Sequence, residues 1–202
     1  AKGGGGGGGK PGGGGGGGGG ETPPPQPGTS DCSSTMVASG TMCWMSGDVA
    51  AAHDAGYKGG GTYVTFVDDF SSSNTFSGNW GEGVKTQTHG WWTSSETLLV
   101  APEATYFLRD FNDDVALTFH DDGLDVVNAS YGMIGMARFY HSGALDSYAT
   151  EKSIIDAARN GTAVVSKAAG NDGIAVGGSV KGTTDYLGNS LIGAQTAIFV
   201  GA

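Results

Sequence analysis

The chain has 202 residues, of which 20 are acidic and 10 are basic, so its formal net charge is −10 at pH 7. This balance disfavours a nucleic-acid partner or an anionic membrane surface, because phosphate binding requires clustered lysine and arginine. No apolar run approaches the roughly 20 residues of a transmembrane helix. We interpret the acidity as a source of solubility.

The chain opens with a low-complexity segment. Residues 1–20 are glycine apart from Ala1, Lys2, Lys10 and Pro11, and residues 21–28 contain four prolines. Such a segment cannot bury apolar surface, so residues 1–30 are predicted to be a disordered linker and residues 31–202 a single domain. The start at Ala1 rather than Met favours a removed leader or a fragment. A secreted or cell-surface protein tethered through this linker is therefore expected.

Two cysteines, Cys32 and Cys43, follow the linker. In an oxidising compartment they would close a small disulfide loop, which is the interpretation that we favour. The alternative is a pair of free thiols in a cytosolic chain.

The domain alternates between helix and strand patterns. In chain order, the pattern predicts a helix at 49–55 closed by Gly56, a strand at 61–69, a surface loop at 71–83 and a helix at 88–97. Strands at 104–111 and 124–130 follow, then a helix at 147–160 with Asp146 as N-cap and Gly161 as its C-terminal stop, and strands at 162–169 and 197–202. This order predicts an α/β fold with a doubly wound, mostly parallel sheet.

The strand at 61–69 is the centre of the prediction. Residues 62–67 are β-branched or aromatic on both faces, which is typical of a strand inside a parallel sheet that is covered on both sides. Asp68 lies at its carboxyl end, the edge where open α/β sheets bind ligands.

Three polar residues in this pattern are candidates for chemistry. Asp68 can accept a hydrogen bond from one nitrogen of His89, which leaves the other nitrogen free to act as a base. Asn171, on a glycine-flanked turn after the strand at 162–169, can donate to an oxyanion. Each also has a plain structural interpretation, because aspartate often caps loops and asparagine often occupies turns.

Taken together, these segments resemble the subtilisin-like serine proteases. The segments that carry the resemblance lie at residues 57–68, 89–90, 100–104, 125–132 and 168–173, and they occur in the family's order.

The resemblance implies a subtilisin-like fold and peptide-bond hydrolysis by an Asp-His-Ser triad. Asp68 would orient the imidazole, His89 would act as general base and then general acid, and Asn171 would donate to the oxyanion. Residues Ser130, Tyr131 and Gly132 would line the groove that binds a peptide or protein substrate. The family's Gly-Thr-Ser segment is expected beyond Ala202, so this chain by itself is expected to be an inactive part of the peptidase domain.

Two departures from the family pattern support an alternative. Trp91 and Trp92 stand where the family's histidine motif continues with Thr-His, and Asp69 stands where Ser or Thr is usual. A non-catalytic, protease-like module that binds peptides is therefore the second hypothesis, and an unrelated α/β binding domain is the third.

The remaining titratable residues gave weaker expectations. No cofactor is predicted, although the family often binds Ca²⁺ and several aspartates between residues 110 and 125 could supply oxygen ligands. No ligand register is visible among them, so a solvated acidic face is favoured. His53, His120 and His141 have no partners at metal-ligand spacing and are expected to be surface or helix residues.

Overall fold

A computed structural model describes residues 2–3, 45–79 and 83–201 of the chain. Within these residues the strands are β1 (Lys2–Gly3), β2 (Thr62–Asp68), β3 (Phe76–Gly78), β4 (Lys85–Gln87), β5 (Thr105–Asp110), β6 (Leu124–Ala129), β7 (Gly132–Met136), β8 (Val164–Ala168), β9 (Thr183–Asp185) and β10 (Ala197–Val200). The helices are α1 (Gly47–Asp54), α2 (His89–Val100), α3 (Ala149–Asn160) and α4 (Tyr186–Leu191), and a 3-10 turn at Ala137–Phe139 follows β7.

Two predictions fall mainly on residues outside this description. The linker predicted at residues 1–30 is described only at Lys2–Gly3, and the disulfide predicted between Cys32 and Cys43 lies entirely outside the described residues.

The centre of the fold is a five-stranded parallel sheet with the strand order β10-β8-β6-β2-β5. Strand β2 pairs with β6 on one side and β5 on the other, and its last five residues are buried. The predicted α/β class with a parallel sheet is therefore confirmed, together with the interior position of the strand that ends at Asp68. Two small antiparallel sheets accompany it, one formed by β3 and β4 and one with the order β1-β7-β9.

Helices lie on both faces of the central sheet. Because side chains alternate along a strand, Val67, Val127 and Val165 share one face, where they join the buried cluster that includes Ile154 and Ala158 of α3. The opposite face of β2 and β5 is covered by α2. The phenol of Tyr106 on β5 ties the two together by donating to the carbonyl of Thr97 on α2 at 3.2 Å.

Three local predictions differ from the structure. The loop predicted at 71–83 contains β3, which pairs with β4 to form a hairpin. Helix α2 extends three residues beyond the predicted end at Thr97, to Val100. Helix α3 begins at Ala149 with Tyr148 in the N-cap position, so the prediction of Asp146 as N-cap was wrong. Asp146 lies one turn earlier, where its backbone N–H donates to the Gly143 carbonyl at 3.1 Å.

The sequence pattern did not indicate β7, β9 or α4. Each is short, and none shows the long apolar periodicity from which helices and strands are predicted. Helix α4 does carry a local start signal, because the Asp185 carboxylate accepts a hydrogen bond from the Leu187 N–H at 3.1 Å. No helix in the described part of the chain combines the length and apolar character that a membrane crossing requires.

The end of α3 provides a test of the fold. Gly161 caps this helix with φ = 74°, a left-handed conformation that side chains disfavour. Gly161→Ala should lower the free energy of unfolding by about 1–2 kcal/mol, measured by urea denaturation followed by circular dichroism.

The matched control is Gly47→Ala at the start of α1. An added methyl group at Gly47 meets no atom within 4 Å, and its backbone is helical. This variant should keep or slightly raise the stability, because alanine restricts the unfolded chain. Equal losses in both variants would contradict the assignment of Gly161 to a left-handed cap.

Candidate active site

The carboxylate of Asp68 is buried at the carboxyl end of β2, with only 1% of the residue exposed. A carboxylate in this position is costly unless donors surround it. The structure supplies them: Oδ1 accepts from the Asp69 N–H at 2.7 Å, and Oδ2 accepts from Thr93 Oγ1 at 3.0 Å. Both donors hold the carboxylate in one orientation.

The third partner of Asp68 is His89, the first residue of α2. The Nδ1 atom of His89 lies 2.7 Å from Asp68 Oδ1. Because a carboxylate only accepts hydrogen bonds, Nδ1 carries the proton and Nε2 is left as the basic nitrogen. The sequence-predicted approach of these two residues is therefore present in the structure.

The environment of His89 favours its protonated form. The hydrogen bond to Asp68 raises the pKa of His89 above its ordinary value, against partial burial, which lowers it. The negative charges of Asp68, Asp69 and Glu96 add to the upward shift. Asp68 therefore both orients the ring and stabilises the imidazolium that forms when Nε2 takes up a proton.

The hairpin of β3 and β4 forms a wall beside this pair. The ring of Phe76 meets the imidazole of His89 edge-on, with 6.1 Å between the centroids. Trp92 fixes the hairpin to α2 by donating its indole N–H to the Phe76 carbonyl at 2.9 Å. Gly78 allows this approach, since a side chain there would lie 2.9 Å from the Trp92 ring. Trp92 therefore supports the wall. This role was not predicted from the sequence, because residues 71–83 were expected to form a loop rather than part of a hairpin.

The loop after Asp68 is held by two further carboxylates, those of Asp69 and Asp110. Asp69 is buried and accepts from the N–H of Ser72 at 3.0 Å, while its own carbonyl accepts from the Gly90 N–H at 2.8 Å. Asp110, at the end of β5, accepts from the N–H of Phe70 at 3.1 Å. Burial raises the pKa of Asp110, but hydrogen bonds from Asn112, Ser71 and Phe70 outweigh it and lower the pKa overall. The loop geometry is thus set by carboxylates at the sheet edge that accept hydrogen bonds from the loop.

Asn171 lies in the loop after β8, at the same carboxyl edge of the parallel sheet as Asp68. It lines a cavity of about 370 Å³ together with Ser130, Tyr131 and Gly132. The structure therefore brings the predicted residues together in two groups, Asp68 with His89 and Asn171 with residues 130–132. Strand β6 separates β2 from β8 between these groups.

The segment at 130–132 lines the cavity and is anchored through Tyr131. The phenol of Tyr131 is buried and donates to Glu151 Oε1 at 2.8 Å, so this side chain anchors the segment to α3. Burial, followed by the charge of Glu151, raises the pKa of Tyr131 well above its ordinary value. Gly132 begins β7, which pairs with β9 through residues 134–136 and, antiparallel, with β1 through Gly132 and Met133.

Sequence reasoning missed two charged residues in the cavity wall. Lys167 on β8 is buried, and its ammonium lies 2.9 Å from Asp185 Oδ2. The available signal was a lysine inside a short, mostly apolar strand, because a buried ammonium requires a partner.

A second aspartate–histidine pair, which the sequence pattern did not indicate, involves His120. The Nδ1 atom of His120 lies 3.0 Å from Asp125 Oδ1, and the ring stacks on Tyr63 with 3.8 Å between centroids. Asp125 is near the amino end of β6, so this pair lies at the opposite edge of the sheet from Asp68. It provides a matched control for experiments on His89.

No group of three or more histidine, cysteine, aspartate or glutamate side chains arranged to hold a metal occurs among residues 2–3, 45–79 and 83–201. Of the aspartates considered as Ca²⁺ ligands, Asp110 and Asp125 are engaged in the hydrogen bonds described above. A Ca²⁺ site is therefore not assigned to any residue.

Comparisons with known proteins give no relative: no family model, no curated protein and no solved structure matches the chain. The family resemblance therefore depends on the motifs in the sequence, and the chemistry on the geometry of the site.

The Asp68–His89 contact predicts how the imidazole titrates. Asp68→Asn should lower the pKa of His89 to about 6.5, the ordinary value for histidine, or below it, because partial burial then acts without the carboxylate. NMR titration of the imidazole nitrogens measures this change. Asp125→Asn, at the other pair, should leave the pKa of His89 where it is, and an unchanged His89 pKa in Asp68→Asn would contradict the contact.

The same contact predicts a pH dependence of stability. Because folding raises the pKa of His89, the protonated ring stabilises the fold fully below its unfolded value of about 6.5, and this contribution is lost as pH rises through the folded-state pKa. Asp68→Asn should therefore lower the free energy of unfolding more at pH 5 than at pH 8. Urea denaturation at both pH values measures the difference, and a larger loss at pH 8 would contradict it.

Proposed function

We propose that this chain supplies the acid, base and oxyanion-binding part of a serine-type endopeptidase. The observation that carries the proposal is the 2.7 Å contact between Asp68 Oδ1 and His89 Nδ1, made by a buried carboxylate at the carboxyl end of a central parallel strand. A triad requires this element, an imidazole held in one tautomer by a carboxylate.

In the proposed reaction His89 Nε2 takes the proton of a serine hydroxyl as that oxygen attacks the peptide carbonyl. The protonated imidazole, stabilised by Asp68, then gives the proton to the leaving amine. The proposal places the serine outside the described residues. Loss of the amine leaves an acyl-enzyme, which water then hydrolyses with His89 again transferring the proton.

The amide of Asn171 would donate to the oxygen that becomes negative during the attack. The peptide itself would extend along Ser130, Tyr131 and Gly132 by backbone hydrogen bonds, as an added antiparallel strand. Pairing of β1 with Gly132 and Met133 supports this, because the edge of β7 accepts extended backbone in the antiparallel sense. A substrate that reached Gly132 would displace β1.

The second candidate is a peptide-binding module without catalysis. The same pairing of β7 favours it, because binding by strand addition needs an accessible sheet edge and a side-chain pocket but no nucleophile. The two candidates share the groove and differ only in whether the His89 base has a serine to activate.

A covalent serine-directed probe, applied to the natural protein, separates the two candidates. For the endopeptidase the probe should label the protein, and His89→Ala should slow labelling by at least about 10³-fold because the general base is lost. His120→Ala should label at the original rate, since it removes the imidazole of the pair at the opposite sheet edge. Labelling is measured by mass spectrometry of the intact protein over time.

Equal labelling of His89→Ala and the unaltered protein would contradict the triad. A protein that binds peptides but is not labelled at all would favour the second candidate.

A further inference from the structure

The cavity beside Asn171 has an apolar lining that includes Ile134, Ala168, Ala169, Ile174 and Phe199. Its charged lining residues are Lys167, Asp172 and Asp185. Asp172 is exposed, whereas Lys167 and Asp185 form an ion pair, which we call the charged base of the cavity. This inference rests on the proposed function. In it, Asn171 binds the peptide carbonyl that is attacked, and the adjacent peptide side chain is brought to this cavity.

Lys167 provides a positive charge that the cavity does not expose. Only 2% of its side chain is exposed, and its ammonium donates to the Ala168 carbonyl at 2.6 Å as well as pairing with Asp185 Oδ2 at 2.9 Å. The ammonium is therefore bonded to protein groups and is less exposed to the cavity than the Asp185 carboxylate.

Asp185 is the more exposed member of the ion pair, with 26% of its side chain exposed against 2% for Lys167. Its Oδ1 accepts from the N–H groups of Met133 at 2.9 Å and Leu187 at 3.1 Å, so backbone donors fix the carboxylate on one side and Lys167 on the other. Glycine at position 188 leaves room for it, because a side chain there would lie 2.9 Å from Oδ2.

We propose that Lys167 is a specificity-determining residue, which neutralises Asp185 so that the cavity selects an uncharged, apolar side chain. A cationic side chain would have to share the Asp185 carboxylate with the Lys167 ammonium, which is already 2.9 Å from it. The two positive charges would repel each other. An anionic side chain would meet the exposed carboxylate. An uncharged chain meets the apolar walls without disturbing the pair.

Peptides that are identical except for one residue test this selection. That residue is norleucine, lysine or glutamate; norleucine has the unbranched four-carbon stem of lysine without its ammonium. Binding to the full 202-residue chain is measured by isothermal titration calorimetry. The norleucine peptide should bind at least 10-fold more tightly than the other two, and Lys167→Met should reverse this preference in favour of lysine by about 10-fold, the size of a modest electrostatic discrimination.

Two further variants keep the test decisive if Lys167→Met does not fold, as judged by circular dichroism. Asp185→Asn leaves the ammonium without its counter-ion and should shift preference toward the glutamate peptide. The double variant Lys167→Met/Asp185→Asn has an uncharged base and should retain the norleucine preference. Ser166→Ala is the control, because alternation places that neighbouring side chain on the opposite face of β8, and its peptide preference should not change.

A wild-type preference for lysine or glutamate would overturn the inference, as would a norleucine preference that persists in both Lys167→Met and Asp185→Asn. Equal binding of all three peptides would also overturn it, while leaving the proposed groove intact. Binding of none of them would reject the groove itself, and the inference with it.

Discussion

The buried carboxylate of Asp68 is the constraint around which this part of the molecule is arranged. An unpaired charge at that depth would be strongly destabilising, so donors must converge on it from separate segments. One is the N–H of Asp69 in the next loop, and the other two are Nδ1 of His89 and Oγ1 of Thr93. His89 and Thr93 are four residues apart and therefore lie on one face of α2. Satisfying Asp68 thus fixes which face of the helix meets the sheet, and with it the position of the imidazole.

A second buried charge has a corresponding role at the cavity. The Lys167 ammonium on β8 needs a counter-ion, and Asp185 supplies it from the junction of β9 and α4 while also accepting from the Met133 N–H on β7. One carboxylate therefore ties together three strands and a helix. Because parallel strands end at the same edge of a sheet, this cluster and the Asp68 cluster lie along one edge, with β6 between them. The Asp68–His89 pair and the cavity beside Asn171 therefore open on the same edge of the sheet.

Sequence reasoning succeeded where the signal was local. The apolar strand that became β2, the strands β5, β6 and β8, and the helix closed by Gly161 all show their period and their end signals within a few residues. It failed where a partner distant in the chain decides the outcome. Strand β3 depends on its pairing with β4 and on Trp92, and His120 depends on Asp125 and on the ring of Tyr63.

The sequence by itself determined the α/β class, the order of the main strands and the polar residues that follow their carboxyl ends, because periodicity and turn residues encode these features locally. Only the tertiary structure decided that Asp68 and His89 are in contact, that Phe76 forms a wall beside the imidazole and that Lys167 is neutralised by Asp185. Such contacts join segments separated by many residues. They depend on strand register, helix rotation and the need to pair every buried charge, and none of these can be read from neighbouring residues alone.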